Sequence, residues 1–160
     1  MIIDAHCHVL PPEFHGRRAD LLAQDATFGA LFAKPDSAMA GVTDLIQAMD
    51  RDGVSHSVIM GIGWAGQDLA RESNDYMIES SLAHVGRLSA FCSLNPAWGD
   101  AAVTELERCV KGGAVGIGEL HADSQGFDIT DRPLMAPVMD AARRLSLPVL
   151  VHASEPVGHQ

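Results

Sequence analysis

The 160-residue sequence has little cysteine, little positive charge and no long apolar run. Its three cysteines, Cys7, Cys92 and Cys109, are an odd number without the CxxC spacing of thiolate zinc sites. We therefore expect no disulfide framework and a reducing cytoplasmic location. No segment approaches the roughly 18 apolar residues of a membrane span, and no basic region precedes an apolar stretch at the N-terminus. The prediction is a cytoplasmic protein without membrane association.

Positive charge is outnumbered by negative charge. Eleven Lys and Arg residues against 21 Asp and Glu residues give a formal net charge of −10. An acidic surface repels phosphate backbones and anionic lipids, which disfavours general nucleic-acid binding, although a metal-assisted nuclease could still hold a phosphate locally. Apolar residues make up 47% and charged residues 20% of the chain, the usual mix of a protein that buries a core. The length fits a single domain over residues 1–160.

Short apolar runs alternate with segments of helical period along the whole chain. Strands are predicted at Ile2–Val9, Ser57–Ile62, Leu88–Leu94, Ala114–Leu120 and Pro148–Ala153. Helices are predicted at Asp44–Asp52 with Thr43 as N-cap, at Leu69–His84, at Ala101–Val110, and from Pro133 until Leu147. The segment from Pro11 to Gly41 reads as a long loop. This alternation predicts parallel β-α-β units and an α/β fold.

Two parallel folds fit the order of elements. A five-stranded doubly wound sheet fits the length, but a helix should cover its fifth strand, and only residues 154–160 follow that strand. A TIM-type (β/α)8 barrel typically needs roughly 200 residues or more. This chain would then represent roughly its first five β-strands and four α-helices. The pattern of strands and helices leaves both folds open.

A histidine pair on the first strand suits a metal ion. His6 and His8 are two residues apart, so both side chains leave the same face of the strand while Cys7 points away. Imidazole nitrogens bind Zn²⁺ and neighbouring divalent transition metals. Asp4 has the same parity and is expected to support the pair from a deeper layer.

Two further polar residues end later strands, Glu119 after strand four and His152 after strand five. Sites in parallel α/β folds form at the C-terminal ends of the strands. A carboxylate or imidazole that follows an apolar run is costly to bury without a partner. We therefore predict that Glu119 and His152 share a metal ion with the histidine pair, rather than being satisfied separately.

At these residues the sequence resembles the amidohydrolase superfamily, most closely its amidohydrolase-related branch of metal-dependent hydrolases and decarboxylases. The blocks that carry the resemblance are Ile3–His8 followed by Pro11-Pro12-Glu13, Ser73–Asp75 leading to Arg87–Phe91, Gly113–His121, and Leu147–Ala153. The resemblance implies a (β/α)8 barrel in which His6, His8 and His152 are metal ligands. Glu119 looks like the glutamate that bridges two metals in TatD-type deoxyribonucleases, so one or two ions are implied.

The resemblance also implies a reaction, namely metal-dependent hydrolysis of a small molecule through an activated water, with Glu119 and His152 as catalytic residues. Zn²⁺ is the favoured ion, and the donor set also accepts Mn²⁺, Fe²⁺ or Co²⁺. The alternative is non-oxidative decarboxylation of an aromatic or unsaturated acid, which the Pro11-Pro12-Glu13 segment favours. A third hypothesis is an inactive metal-binding fragment or assembly module.

The family's later site residues, a histidine after strand six and an aspartate after strand eight, have no counterpart in this sequence. We therefore expect either the N-terminal part of a longer enzyme or a homo-oligomer that covers the open strand edges. Weaker candidates for substrate contact are His121, which shares the parity of Glu119, Trp64 and Trp98 after strands two and three, and His159 after the last strand. Each of these side chains could equally be a packed or solvated loop residue.

Overall fold

The computed structural model describes residues 1–153 and contains one five-stranded parallel sheet in the order β1-β2-β3-β4-β5. The strands are β1 (Ile3–His8), β2 (His56–Met60), β3 (Leu88–Cys92), β4 (Gly116–Leu120) and β5 (Val149–Val151). Each strand pairs with the next one along the chain, and the sheet curls into half of a barrel. The order of a doubly wound sheet reverses part-way across, so the sequential order excludes that fold. The predicted partial TIM-type barrel is confirmed.

The helices among the described residues are α1 (Arg18–Gln24), α2 (Ala26–Phe32), α3 (Val42–Asp52), α4 (Gln67–Ala83), α5 (Asp100–Gly112), α6 (Ala122–Gln125) and α7 (Arg132–Leu145). The four predicted helices correspond to α3, α4, α5 and α7. Gly41, and not Thr43, is the N-cap of α3, because the Asp44 carboxylate accepts the Gly41 N–H at 2.9 Å. No helix of residues 1–153 has the length and apolar character needed to cross a bilayer.

The main apolar core lies between the sheet and helices α3, α4, α5 and α7. Ile117 from β4, Leu106 from α5 and Val138 from α7 are all fully buried in it. Met135, Val138 and Ala142 recur at helical spacing, which turns one face of α7 towards the strands. Each large side chain that is fully buried contributes roughly 1.5–3 kcal/mol. This core holds the strand ends in fixed positions.

The segment predicted as a loop between Pro11 and Gly41 is largely helical. It contains a 3₁₀ helix (Pro12–Arg17) followed by α1 and α2. Phe14, Leu21 and Phe28 recur at intervals of two helical turns, and all three are 0% exposed. The helices form because these residues pack into a second apolar cluster around Trp64. The loop prediction is therefore wrong for this segment.

Hydrogen bonds fasten this helical segment to the loop after β2. The Asp25 carboxylate caps α2 by accepting the Phe28 N–H and also accepts the Ala65 N–H, each at 2.9 Å. The Thr27 hydroxyl donates to the Gly63 carbonyl at 2.9 Å. Asp25 and Thr27 are both buried. The segment is therefore a fixed part of the strand-end surface.

A bulge in β1 changes the direction of Asp4. Asp4 pairs with Ser57 and Cys7 with Ile59, so β1 carries one extra residue between these two pairs. The Asp4 carboxylate accepts the backbone N–H of His6 at 3.1 Å. Burial, and next the Asp4 carboxylate, raise the pKa of the Cys7 thiol to about 12. Asp4 therefore lies on the side of Cys7, and the expectation that it supports the imidazole rings is wrong.

The two outer strands have open edges within residues 1–153. There β1 pairs only with β2, and β5 pairs only with β4. Ile2 and Ile3, at the start of β1, are 56% and 52% exposed. The outer edge of β1 therefore combines unpaired backbone groups with apolar side chains.

Candidate metal centre

His6, His8 and Glu119 meet at one end of the sheet. The two histidines end β1, and Glu119 lies in β4, so the sheet brings together side chains that are 113 residues apart in the case of His6 and Glu119. The Glu119 side chain is 6% exposed, against 44% for His6 and 32% for His8. A buried carboxylate thus lies beneath two accessible imidazoles.

Three donor atoms of this group form a small triangle. The Nε2 atoms of His6 and His8 are 3.0 Å apart. Glu119 Oε2 lies 3.3 Å from the His6 Nε2 and 3.2 Å from the His8 Nε2. Three lone-pair atoms at such separations repel one another unless a proton or a cation lies among them. A proton or a cation among the three atoms would remove this repulsion.

The protein orients the His8 ring from behind. Its Nδ1 lies 3.3 Å from the Met60 carbonyl oxygen, which can only accept a hydrogen bond, so the proton of the neutral ring belongs on Nδ1. This tautomer leaves the lone pair of Nε2 directed at His6 and Glu119. A backbone carbonyl behind an imidazole is the usual way in which proteins orient a histidine that binds a metal.

Glu119 faces a third histidine with its other oxygen. The Nδ1 of His152 donates to Glu119 Oε1 at 2.9 Å. Burial by itself would raise the pKa of Glu119. The hydrogen bonds that the protonated His8 ring and the His152 ring donate, together with the positive charge of the neighbouring imidazoles, outweigh burial and lower this pKa to about 2. The carboxylate is therefore ionised throughout the physiological pH range.

The donor set fits a divalent transition metal ion. Ligand atoms at about 2.0–2.2 Å from an ion are about 2.8–3.1 Å apart at the edges of an octahedron and about 3.3–3.6 Å apart at those of a tetrahedron. The observed separations of 3.0, 3.2 and 3.3 Å lie between the smallest and the largest of these distances. Within residues 1–153, one group of histidine, cysteine or acidic residues has all its ligand atoms within 4.8 Å of one another. This group consists of His6, His8 and Glu119. His152 stands beside this group, on the far oxygen of the carboxylate.

His121 lies against His152. The two rings are stacked with centroids 4.1 Å apart and an interplanar angle of 21°. His121 is 3% exposed. Burial, and next the neighbouring His152, lower the pKa of His121 below its usual value, which disfavours the protonated form of its ring. The His121 ring therefore lies beside the ring that contacts Glu119.

Gln125 is a buried residue that sequence reasoning missed. Its Oε1 accepts the His121 N–H at 2.8 Å, and its Nε2 donates to the carbonyls of Trp64 at 2.8 Å and Leu94 at 2.9 Å. The Gln125 side chain thereby connects the three segments that follow β2, β3 and β4. No motif marks Gln125 in the sequence, because its partners are backbone groups up to 61 residues away.

Trp64 does not form the wall of an open site. It is 0% exposed, and its ring packs on those of Phe14 and Phe28 with centroids 5.6 and 6.0 Å away. Aromatic packing under the α1–α2 segment explains its burial, so the substrate-contact prediction is corrected for this residue.

Trp98 is half-buried and occupies a different region. Its Nε1 donates to the Ala65 carbonyl at 2.9 Å. Its ring lines a cavity of about 260 Å³ together with Arg71 and Glu105, and no residue of the metal centre lines this cavity. The predicted contact of Trp98 with a substrate at the centre is therefore not supported by its position. His159 lies outside the described residues.

The comparison with family models identifies one family. The family model described as "Amidohydrolase" matches residues 3–160. No curated protein matches the sequence. Among solved structures, 5-carboxyvanillate decarboxylase from Novosphingobium aromaticivorans is similar with a TM-score of 0.76 and 16% identity, over 99% of this chain and 51% of that chain.

Two further structures share the fold. The 5-carboxyvanillate decarboxylase from Sphingomonas paucimobilis has a TM-score of 0.74 and 22% identity, over 98% of this chain and 52% of that chain. The 4-oxalomesaconate hydratase from Rhodopseudomonas palustris has a TM-score of 0.69 and 21% identity, over 96% of this chain and 52% of that chain. The chain thus spans about half the length of these enzymes.

Proposed function

The chain belongs to the amidohydrolase family, and from this premise we propose that it serves metal-dependent hydrolysis of a small molecule. His6, His8 and Glu119 hold the cation in this proposal, and His152 completes the site through Glu119. A divalent cation bound by these donors would polarise a substrate oxygen and lower the pKa of a coordinated water towards about 7. Zn²⁺ is our first candidate, and Mn²⁺, Fe²⁺ and Co²⁺ suit the same donors.

The observation that carries the proposal is the division of the Glu119 carboxylate. Oε2 lies 3.2 and 3.3 Å from the histidine pair, and Oε1 accepts from His152 at 2.9 Å. A carboxylate with one oxygen on each side is suited to bridge two positively charged groups, either two cations or a cation and a protonated imidazole. Hydrolysis by a bridged pair uses this arrangement, because both attacking and leaving oxygens need stabilisation.

The residues around the cation have separate tasks. Met60 holds the proton of His8 on Nδ1, which keeps the Nε2 lone pair available. Glu119 stays ionised and supplies negative charge at the floor of the site. The Nδ1 proton of His152 is held at Glu119 Oε1, which sets the angle of that ring. Each of these contacts is made between groups of the protein itself, and such preorganisation is what a reaction site needs.

Decarboxylation is the second candidate, and the solved structures favour it. The Novosphingobium decarboxylase of similar fold was crystallised with manganese and 4-hydroxy-3-methoxy-5-nitrobenzoic acid. Hydrolysis consumes a water molecule and decarboxylation uses none, and a carboxylate that bridges two positively charged groups suits the activation of a water. This difference is our reason for placing hydrolysis first. An inert metal-binding module remains the third hypothesis.

One preparation tests all three proposals. Elemental analysis of the gel-filtered chain should find a transition metal in near-stoichiometric amount, and the His6→Ala/His8→Ala variant should lose it. The metal-loaded chain is then assayed for hydrolysis of small esters, amides and lactones, and for carbon dioxide release from hydroxybenzoates. Metal-dependent hydrolysis supports the first proposal and carbon dioxide release the second. Bound metal without either activity supports the inert module.

A further inference from the structure

His121 is a buried imidazole whose two ring nitrogens have no hydrogen-bond partner among residues 1–153. The residue is 3% exposed, so bulk water does not satisfy these atoms. Leaving a buried polar group unpaired costs about 1–3 kcal/mol, and the large majority of buried side-chain polar atoms in proteins are paired. The two ring nitrogens of His121 therefore need a hydrogen-bond partner that residues 1–153 do not supply.

The surroundings keep the ring in place despite this cost. The ring is stacked on His152, and the Gln125 side chain accepts the His121 backbone N–H at 2.8 Å. Gly63 lies against the base of the side chain, where an added Cβ would be 2.7 Å from the Cβ of His121. Three separate elements thus hold an unsatisfied imidazole next to the ring that contacts Glu119.

We propose that His121 is a substrate-contacting residue whose ring N–H donates a hydrogen bond to an oxyanionic group, a carboxylate or phosphate, of the molecule held at the metal centre. A cation at His6, His8 and Glu119 attracts an anionic oxygen, and a ring N–H donor beside it satisfies a second oxygen of the same group. This inference rests on the proposed function, because it needs a cation at the centre.

The competing interpretation makes His121 a packing group that merely fills space beside His152. The two interpretations predict different effects of replacing the imidazole ring with a phenyl ring. Phenylalanine keeps an aromatic ring for the stack and removes both nitrogens, whereas glutamine keeps a hydrogen-bond donor and gives up the ring. A packing role tolerates the first change, and a donor role tolerates the second.

The test uses the Zn²⁺-loaded full chain as wild type, His121→Phe and His121→Gln. The matched control is His84→Phe, at the end of α4, where the ring contacts the Ser80 carbonyl. Calorimetry measures the affinity for Zn²⁺, then the affinities for acetate and for inorganic phosphate. We expect His121→Phe to bind the oxyanion about tenfold more weakly, the loss of one hydrogen bond to a charged group. His121→Gln should recover part of the loss, and Zn²⁺ affinity should change by less than about twofold in every variant.

The outcomes separate this inference from the proposed function. A wild type that takes up no Zn²⁺ overturns the proposed function and this inference together. A wild type that takes up Zn²⁺ but binds neither anion, or a His121→Phe variant that binds both as tightly as wild type, overturns the inference alone. If His121→Phe weakens the binding of only one of the two anions, that anion identifies the oxyanionic group that His121 contacts. If His121→Phe does not fold, nitrogen-15 NMR of the wild-type ring decides, since its signal must shift when the anion is added.

Discussion

The Nδ1 of His152 donates to Oε1 of Glu119 at 2.9 Å, which leaves Oε2 of the same carboxylate for the histidine pair. This contact couples the ends of β4 and β5. The backbone supports it, because the His152 N–H donates to the Leu120 carbonyl at 2.8 Å. The carboxylate is thus the common element of the whole centre, and the first prediction concerns its charge.

Replacing Glu119 with Gln should weaken Zn²⁺ binding by at least about tenfold, within the 10–100-fold range known for changes around metal sites. The amide keeps the shape of the side chain and removes its negative charge, which is what a cation binds. Calorimetric titration with Zn²⁺ measures the effect. Glu79→Gln, at an exposed position of α4, is the matched control and should bind as wild type does. Equal affinity in Glu119→Gln would show that the carboxylate is not a ligand.

A bound divalent ion should raise the melting temperature. At 100 times the dissociation constant, a ligand specific for the native state stabilises it by about 2.7 kcal/mol, or about 5–10 °C for a chain of this length. Thermal unfolding with Zn²⁺, and again after EDTA, measures the shift and its reversal. The His6→Ala/His8→Ala variant should show no shift. A shift of equal size in that variant would place the ion elsewhere on the chain.

Replacing Gln125 with Ala should destabilise the fold by about 3 kcal/mol, because the change leaves the His121 N–H and the carbonyls of Trp64 and Leu94 unpaired. Urea unfolding followed by circular dichroism measures the loss. Gln67→Ala, at an exposed position of α4, should cost far less. If the two variants are equally stable, Gln125 does not hold the three strand ends together.

The hydrogen bonds of Glu105 in α5 should make the free energy of unfolding depend on pH. Burial would raise the pKa of Glu105, but hydrogen bonds from Arg108 and Asn74 hold it below its usual value. A lowered folded-state pKa stabilises the fold at every pH above the unfolded-state value, and this contribution disappears as the pH falls through the folded-state value.

The free energy of unfolding of wild type should therefore exceed that of Glu105→Gln at pH 7, and the difference should shrink as the pH is lowered below the ordinary value of 4.5. Urea titrations of both proteins over this range measure the difference. Glu107→Gln is the control, because the ion pair of Glu107 with Arg144 is exposed and contributes little. A difference that stays constant with pH would contradict the assigned pKa direction of Glu105.

The open edge of β1 should promote self-association. Exposed backbone groups beside Ile2 and Ile3 form a surface that another copy can extend by strand pairing. We expect the apparent mass in light scattering to rise with concentration and Ile3→Lys to reduce this rise. Val85→Lys, which changes an 82% exposed valine away from the edge, should leave it unchanged. A single species at the monomer mass under all conditions would contradict the expected homo-oligomer.

Several features of the fold follow from local sequence pattern. Alternating apolar runs and helical periods predicted all five strands and helices α3, α4, α5 and α7. The spacing of His6 and His8 placed both rings on one face, and the resemblance to amidohydrolases is confirmed by the family match. These predictions succeed because side-chain direction in a strand and the apolar face of a helix repeat at fixed intervals.

Other features needed the assembled fold. The helices α1 and α2 are stabilised by packing of Leu21 and Phe28 in the apolar cluster around Trp64, and this contact with a distant residue leaves no local signal. The bulge in β1 moved Asp4 to the side of Cys7, which parity alone could not foresee. Gln125 connects groups from separate strand ends, so no local motif marks it.

The sequence by itself determined the order of strands and helices and the residue types able to bind a metal, because both depend on short-range periodicity and side-chain chemistry. The tertiary structure alone decided which oxygen of Glu119 faces which histidine. It also decided that Trp64 is buried in a core and that His121 lacks a partner within residues 1–153. Such relationships depend on distances between residues far apart in the chain, and sheet curvature and packing set those distances.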